Sequence, residues 1–398
     1  MKSRTLLYNL LVFFLLTGIT RFAAAQEWSV DLYDVHIEDP TGSLDRIRAE
    51  SVEFMPDGKT IVTAGYSYNS TTKHSVGEVR LRNVSDGSIK VTLHGTASSY
   101  ALRSGVLAVS PDGKLIAAAG FSGRMRTYAV DLFDPKAQKL VRTLGGGPWW
   151  ISCVKFSPDS KMLVVVRHNG IVELWDPKNG NWISNFKTGT HKVSTIDLSQ
   201  DGKILVTGNE DGSFSFWNLE TAVQIGHIPA QPDVRTSGAI ALSPDGKLFA
   251  SCFRRTRTTE AHLRDRVVGE KRAVRVKGAK KESGQKRTVS VGGSLICLWK
   301  ITRDKKNKIT LKKQALLSGH KDYTYQLTFS PDSKTLVSAN QDSTLKVWDT
   351  LTNKEIVTVT DHRDFVYDVA FSPDGKKLVS LSRDSLKMWN VGERISKK

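Results

Sequence analysis

Thirteen basic side chains crowd into residues 254–292, against four acidic ones. They are Arg254, Arg255, Arg257, Arg264, Arg266, Lys271, Arg272, Arg275, Lys277, Lys280, Lys281, Lys286 and Arg287. A cluster of one sign draws oppositely charged molecules from a distance, and arginine grips phosphate, sulfate or carboxylate with two parallel hydrogen bonds. The formal charge of the chain is +18; this block supplies +9, residues 293–313 a further +6, and Lys2, Arg4 and Arg21 the remaining +3. Everything else balances to zero, so the charge is gathered rather than spread. The plainer alternative is a solvated insertion, tolerated because surface loops cost little to lengthen. The block holds no aromatic residue and so lacks the stacking platforms of single-strand nucleic-acid binders. An acidic protein or an anionic cell-envelope polymer fits it better than nucleic acid. Outside the block, Trp149 in Gly145-Gly146-Gly147-Pro148-Trp149-Trp150 is a candidate partner anchor, tryptophan being enriched where binding energy concentrates. Trp150 is expected to begin a buried strand, and the alternative for the pair is that both tryptophans pack in the blade interface.

Chemistry of the enzymatic kind has little to rest on. Asp361-His362-Arg363-Asp364 resembles a kinase catalytic loop, yet the glycine-rich loop, the lysine strand and the metal-binding triplet are absent. No nucleophile elbow, Walker loop, HExxH helix or Cys/His metal spacing occurs, so the sequence assigns no catalytic residue, cofactor or metal. Three cysteines, Cys153, Cys252 and Cys297, are too few for a disulfide framework. Three small buried side chains, or one bridge between Cys252 and Cys297, are the two readings.

What positions these residues is a repeat. A Ser-Pro-Asp-Gly-like turn between two apolar strands stands at Met55–Gly58, Ser110–Gly113, Ser157–Ser160, Ser199–Gly202, Ser243–Gly246, Ser330–Ser333 and Ser372–Gly375. Proline presets φ at the second position, Asp bonds nearby backbone and glycine suits the fourth. From one turn Asp to the next the steps are 55, 47, 42, 44, 87 and 42 residues, and a period in the forties is that of a four-stranded propeller blade. Removing about forty residues from the long step restores the period, which makes the basic block an inserted loop and not an eighth blade. Its weakly alternating stretches, Arg272 to Lys277 and Lys286 to Val291, suit a charged ribbon; low apolar content with high charge equally suits disorder.

Most copies end their third strand in a Trp pair, as in Leu174-Trp175-Asp176, Phe216-Trp217-Asn218 and Val347-Trp348-Asp349. Together with Gly319-His320 and Ser330-Pro331-Asp332, these motifs resemble the WD-repeat family over roughly residues 41–391. The resemblance implies a hydrogen-bonded tetrad in each blade. It maps onto His191, Thr207, Asp211 and Trp217; onto His320, Ser338, Asp342 and Trp348; and onto His362, Ser380, Asp384 and Trp389, whose Asp-to-Trp spacing is one residue short. Val165 and Asn169 replace two members in the third copy, and Arg82 and Phe133 stand near the missing Trp of the first two. The resemblance also implies that the insertion opens on the partner-binding face, with Lys305, Lys306 and Lys308 opposite.

The expected fold is therefore all-β: a seven-bladed propeller of four-stranded antiparallel blades. A ring must close or leave sticky edges, and the last copy has only three strands, so Trp28 to Ile37 is the expected fourth. Residues 1–25 resemble a secretory leader: Lys2 and Arg4, an apolar run from Leu6 to Leu16, and Ala23-Ala24-Ala25 before Gln26. The apolar run is shorter than the roughly 20 residues of a membrane span, which disfavours a retained anchor. The expectation is an exported propeller over residues 26–398 that binds an anionic partner through its insertion. An exported, lactonase-like hydrolase with acidic and His side chains at the ring centre is the alternative.

Overall fold

The computed structural model describes residues 24–31, 46–69, 74–100, 106–123, 126–189, 192–230, 234–260, 286–304 and 308–391. They form seven antiparallel sheets, and helices are absent among them. Each sheet is one blade, and the chain runs outward through it from the innermost strand. The fourth blade, for instance, is Val193–Leu198, Ile204–Asn209, Phe214–Asn218 and Val223–Ile228 in spatial order. The innermost strand of the second blade comes in two pieces, Ser99–Tyr100 and Leu107–Val109, both paired with Ile116–Ser122.

The core is not one mass but seven apolar layers, one between each pair of neighbouring blades. Phe214, Phe216, Phe249 and Cys297 belong to the layer between the fourth and fifth blades; Cys252, Leu298, Phe329 and Trp348 to that between the fifth and sixth. A blade is thus apolar on both faces, which is why its middle strands read as continuous runs such as Leu163–Arg167, buried at all five positions.

Ser-Pro-Asp-Gly chemistry sets the inner turns. In Ser110–Gly113 the Ser110 hydroxyl donates to Asp112 Oδ1 at 2.7 Å and accepts from Leu115 N at 2.9 Å. The fourth turn residue sits at positive φ in all seven copies, from +60° at Ser160 to +70° at Gly375. Five are glycine; Ser160 and Ser333 adopt this conformation with a side chain, at a cost of about 1 kcal/mol. Each offsets the cost by accepting a hydrogen bond from another turn: Asp112 N to Ser160 Oγ at 3.0 Å, and Asp245 N to Ser333 Oγ at 3.1 Å. Ser333→Ala keeps the strain and loses the bond, so it should destabilise by about 1 kcal/mol, while Ser333→Gly should be close to neutral. Urea unfolding of the two variants measures the difference.

The ring closes through Ala24–Asp31, which pairs antiparallel with Ser385–Val391 as the outer strand of the seventh blade. It begins four residues earlier than Trp28, the start expected from alternation. Residues 32–37 lie outside the described residues. Ala24 and Ala25, assigned to the leader by their size, pair with Val391 and Asn390. Trp28 reaches beyond its own blade, donating from Nε1 to Val84 O of the first blade at 2.7 Å.

Candidate functional site

One face of the ring, here the upper, carries the connections between blades and the hairpins between second and third strands; the Ser-Pro-Asp-Gly turns lie on the lower. Upper connections must be held before they can present anything. In the sixth blade Trp348 Nε1 donates to Ser338 Oγ at 3.0 Å, Ser338 Oγ lies 2.7 Å from His320 Nε2, and His320 Nδ1 lies 3.1 Å from Asp342 Oδ2. A carboxylate only accepts, so Nδ1 carries the hydrogen and the chain runs from Trp to Asp. Burial pushes the Asp342 carboxyl up, but bonds from His320, Thr344 and the Lys321 N–H outweigh it and hold it at about 2.

The seventh blade repeats the inner half, Trp389 Nε1 to Ser380 Oγ at 2.8 Å and Ser380 Oγ to His362 Nε2 at 2.7 Å. The missing residue shows in the outer half. His362 Nδ1 faces Ser385 Oγ at 3.3 Å, and Ser385 donates to Asp384 at 3.2 Å, so the serine stands between the two. Burial, with Lys387 nearby, lowers His362 to about 4 and keeps it neutral. In the fourth blade Trp217 Nε1 donates to Thr207 Oγ1 at 3.2 Å, Asp211 Oδ1 accepts from Ser213, and His191 lies outside the described residues. The fifth blade holds a pair the motif search missed, Trp299 Nε1 to Ser251 Oγ at 2.9 Å.

The departing blades use other chemistry. In the second, buried Asp131 accepts from Thr96, Tyr100 and Thr143 at 2.5–3.1 Å. In the first, Arg82 is buried where others place Trp and donates to Gly87 O at 3.0 Å; burial lowers it to about 10. In the third, Arg167 pairs with Glu173 at 2.6 Å, Glu173 accepts from Trp175 Nε1, and Arg167 Nη1 donates to Trp149 O at 3.1 Å. That last bond holds up the glycine-rich connection. Trp149 stands 51 % exposed on it; Trp150, expected to open a buried strand, is 40 % exposed, stacks edgewise on His168 and precedes the strand Ile151–Phe156.

The basic block begins inside the fifth blade and not beyond it. Its second and third strands run as Leu248–Glu260 and Lys286–Arg303, longer than the blade, and remain paired to Glu260 and Lys286. The innermost strand Val234–Leu242 follows them upward, pairing Arg235 with Arg254 and Val234 with Arg255. Arg254, Arg255, Arg257, Lys286 and Arg287 are therefore residues of a ribbon rising from the upper face. Arg264, Arg266, Lys271, Arg272, Arg275, Lys277, Lys280 and Lys281 lie outside the described residues, as do Lys305 and Lys306. Ribbon alternation, the signal sequence reading weighed against disorder, accounts for the segment from Lys286 onward.

Two features fix the ribbon's root. Arg254 Nη2 donates to Asp322 Oδ1 at 3.2 Å, and Ser294 Oγ donates to Asp322 O at 2.6 Å, tying the root to the connection entering the sixth blade. Gly293 lies so close that an added Cβ would meet His320 O at 1.6 Å, which only glycine permits. Cys252 and Cys297 sit on adjacent strands with Cys252 opposite Ile296 and Cys297 opposite Ser251. Successive strand residues face opposite ways, so the two thiols enter different core layers, and none of the three cysteines is in a disulfide.

A channel of 1290 Å³ runs through the ring and is lined by the innermost strands of all seven blades. Carboxylates do converge on it. Asp197 takes Lys155 Nζ at 3.2 Å and the backbone N–H of Leu242, in the next blade, at 2.7 Å. Asp368 accepts from Ser51 Oγ at 2.7 Å, Val52 N at 2.9 Å and Gln326 Nε2 at 3.3 Å, joining the sixth, seventh and first blades. Glu53 accepts from Val109 N of the second blade. Their bonds are spent on latching neighbouring blades together. The lining contains no histidine among the described residues, and no group of three or more metal-ligating side chains occurs among them.

Burial lifts Glu50 and Glu53 to about 7, against Arg48 and Lys155 respectively, and Asp368 to about 6 against its hydrogen bonds. The folded channel thus takes up protons before the unfolded chain does. That contribution is fully present below the ordinary carboxylate range and is lost as pH rises through 6–7. His362 opposes it, being neutral when folded, and removes stability as pH falls below its ordinary value. Glu53→Gln isolates one carboxylate: the gain in unfolding free energy from about pH 7.5 to about pH 5.5 should shrink by about 1–2 kcal/mol. Calorimetry at the two pH values measures it.

Seven closed blades, Ser-Pro-Asp-Gly turns and Trp–Ser–His–Asp bracing define a class, the β-propeller built from WD-type repeats. The WD domain, G-beta repeat family matches residues 311–349 and 353–390, and the Anaphase-promoting complex subunit 4 WD40 domain family matches residues 138–200. These matches, with the seven-bladed ring, support a WD-repeat β-propeller family for the chain. No curated protein matches it. A WD-repeat propeller is in general a protein-interaction scaffold, and such families are typically non-enzymatic. Among the described residues no helix is long and apolar enough to cross a membrane.

Proposed function

We propose that the protein is an exported, non-enzymatic binding platform whose basic ribbon engages an anionic partner, an acidic protein or a cell-envelope polymer. The observation that carries this reading is the rigid footing of a charged hairpin on the upper face. Electrostatic recognition gains from preorganisation, because fixed charges need not be ordered on binding. Arg254, Arg255, Arg257, Lys286 and Arg287 stand on paired strands, and the root is bonded to the sixth blade. The leader-like segment at residues 1–25 supports export. Trp149, exposed on the same face at the entry to the third blade, supplies an apolar anchor apart from the charge.

The test is a pull-down from envelope extract with the mature protein and with a version whose residues 254–292 are replaced by a short turn, each at low and high salt. Partners lost on replacement and on salt addition are expected. An identical set in every lane would refute the ribbon as the binding element. The competing hydrolase reading predicts turnover on lactones or esters that Glu53→Gln or Asp197→Asn abolishes.

A further inference from the structure

Blade five is basic at both ends. Below the ribbon, the long third strand continues to Arg303 and turns back as Ile309–Ser318, the blade's outer strand. Lys300 and Lys312 stand directly opposite each other across these two strands, and Lys313 is opposite Trp299. All three lysines, with Lys308 at the turn, are exposed. Among the described residues none of the four makes an ion pair, whereas at this end Arg303 is paired with Asp201 at 3.2 Å and Lys247 with Asp245 at 3.5 Å. Two like charges facing each other across a ladder destabilise it. Stability therefore gives no reason for the Lys300–Lys312 pair, and the neutral balance of the remaining blades makes it stand out further.

Geometry joins the two ends. One continuous strand of 18 residues, Lys286–Arg303, passes from the ribbon to the lower lysines, a span of about 60 Å at roughly 3.3 Å per residue. Small anions would occupy one end or the other. An extended chain of repeating negative charge can lie along the blade and meet both.

We propose that the outer side of the fifth blade is a binding track for a linear polyanion, with Lys300 and Lys312, which share one face, and Lys308 at the turn forming its lower half and the paired strands of the ribbon its upper. This rests on the anionic-partner reading and selects from it a polymer over a compact acidic protein. Contact at two ends of one strand links two weak sites, so affinity rises with chain length once a chain can span them. Counterion release makes it fall steeply with salt, each lysine removed lowering the log–log slope by roughly one.

Linear polyphosphate in two lengths, tripolyphosphate and a long chain, serves as the probe, with binding measured on the mature protein, the Lys300→Ala/Lys308→Ala/Lys312→Ala variant and a version whose residues 254–292 are replaced by a short turn. Unchanged melting temperatures in the two variants establish folding. The long chain should bind the parent far more tightly than tripolyphosphate, and the triple variant should lose on the order of 100-fold for the long chain with little change for the short one, at about fivefold per lysine. If the triple variant binds the long chain as the parent does while the ribbon replacement abolishes binding, the track is wrong and the ribbon reading survives. If neither variant loses affinity, or length has no effect and no salt dependence appears, both readings fall.

Discussion

Cutting the chain after Asp31 should leave a protein that no longer unfolds in a single cooperative transition and that aggregates on warming. The strand Ala24–Asp31 contributes more than one ladder. It covers the outer edge of Ser385–Val391, bonds the first blade through Trp28 Nε1 and Val84 O, and holds Lys377 Nζ at 2.5 Å from Glu27. Trp28 and Val30 pack on the layer between the seventh and first blades, around Leu386, Met388 and Ile61. Without the strand, the seventh blade presents an unpaired edge of the kind that templates association between chains. Trp28→Ala is the graded form of the same test. It removes a half-buried indole and one hydrogen bond, so a loss of about 2–4 kcal/mol is expected. Urea unfolding with light scattering reports both outcomes, and a truncated protein melting like the parent would show that the ring holds without this closure.

The second large effect concerns binding. Arg255, Arg257 and Arg287 all lie on the strands of the ribbon, Arg257 opposite Val289 and Arg287 opposite Thr259. Changing the three to glutamine should weaken binding to heparin, used as a model sulfated chain, by on the order of 100-fold at low salt, at about 1 kcal/mol per charge. The same substitutions should leave the melting temperature within a degree or so, because the positions lie outside the seven core layers. Retention on a heparin column followed by titration calorimetry measures the change. Undiminished affinity would move the charge-binding element off the ribbon.

How much of this was legible in sequence follows from the physics of each element. The turns were legible because proline, aspartate and a positive-φ position constrain residue type locally, and seven repetitions of a local signal define a global fold. The closing strand was legible by counting, although its start was not: alternation points to Trp28, whereas pairing extends to Ala24 because small residues also fit an edge strand. The Trp–Ser–His–Asp bracing of the sixth blade is what the WD-repeat resemblance implies for its residues. The Arg167–Glu173–Trp175 brace of the third blade is not so implied, since it depends on which side chains share a face. The channel latches were overlooked, yet a signal existed. Glu53, Lys155 and Asp197 each stand two residues before the first residue of their turn, in strands otherwise apolar at that end. A charge in a buried repeat position is the kind of exception worth following, and the ring brings three of them to the same level of the channel.

Trp149 and the ribbon show the limits from the other side. Exposure of Trp149 depends on a buried arginine eighteen residues later donating to its carbonyl, a contact no local pattern encodes. The ribbon's footing depends on Gly293 meeting the backbone of His320 and on Arg254 reaching Asp322, both contacts between blades. Composition located the charge; only the fold shows that it stands on a rigid base.

The central claim is that a fixed, basic element on the fifth blade does the binding. The most direct measurement is the salt dependence of affinity for the partner recovered from envelope extract, compared between the mature protein and the version whose residues 254–292 are replaced. A steep linear fall of log affinity with log salt is predicted for the parent, with a clearly shallower slope and weaker binding for the replacement. Equal affinities that ignore salt in both proteins would contradict it.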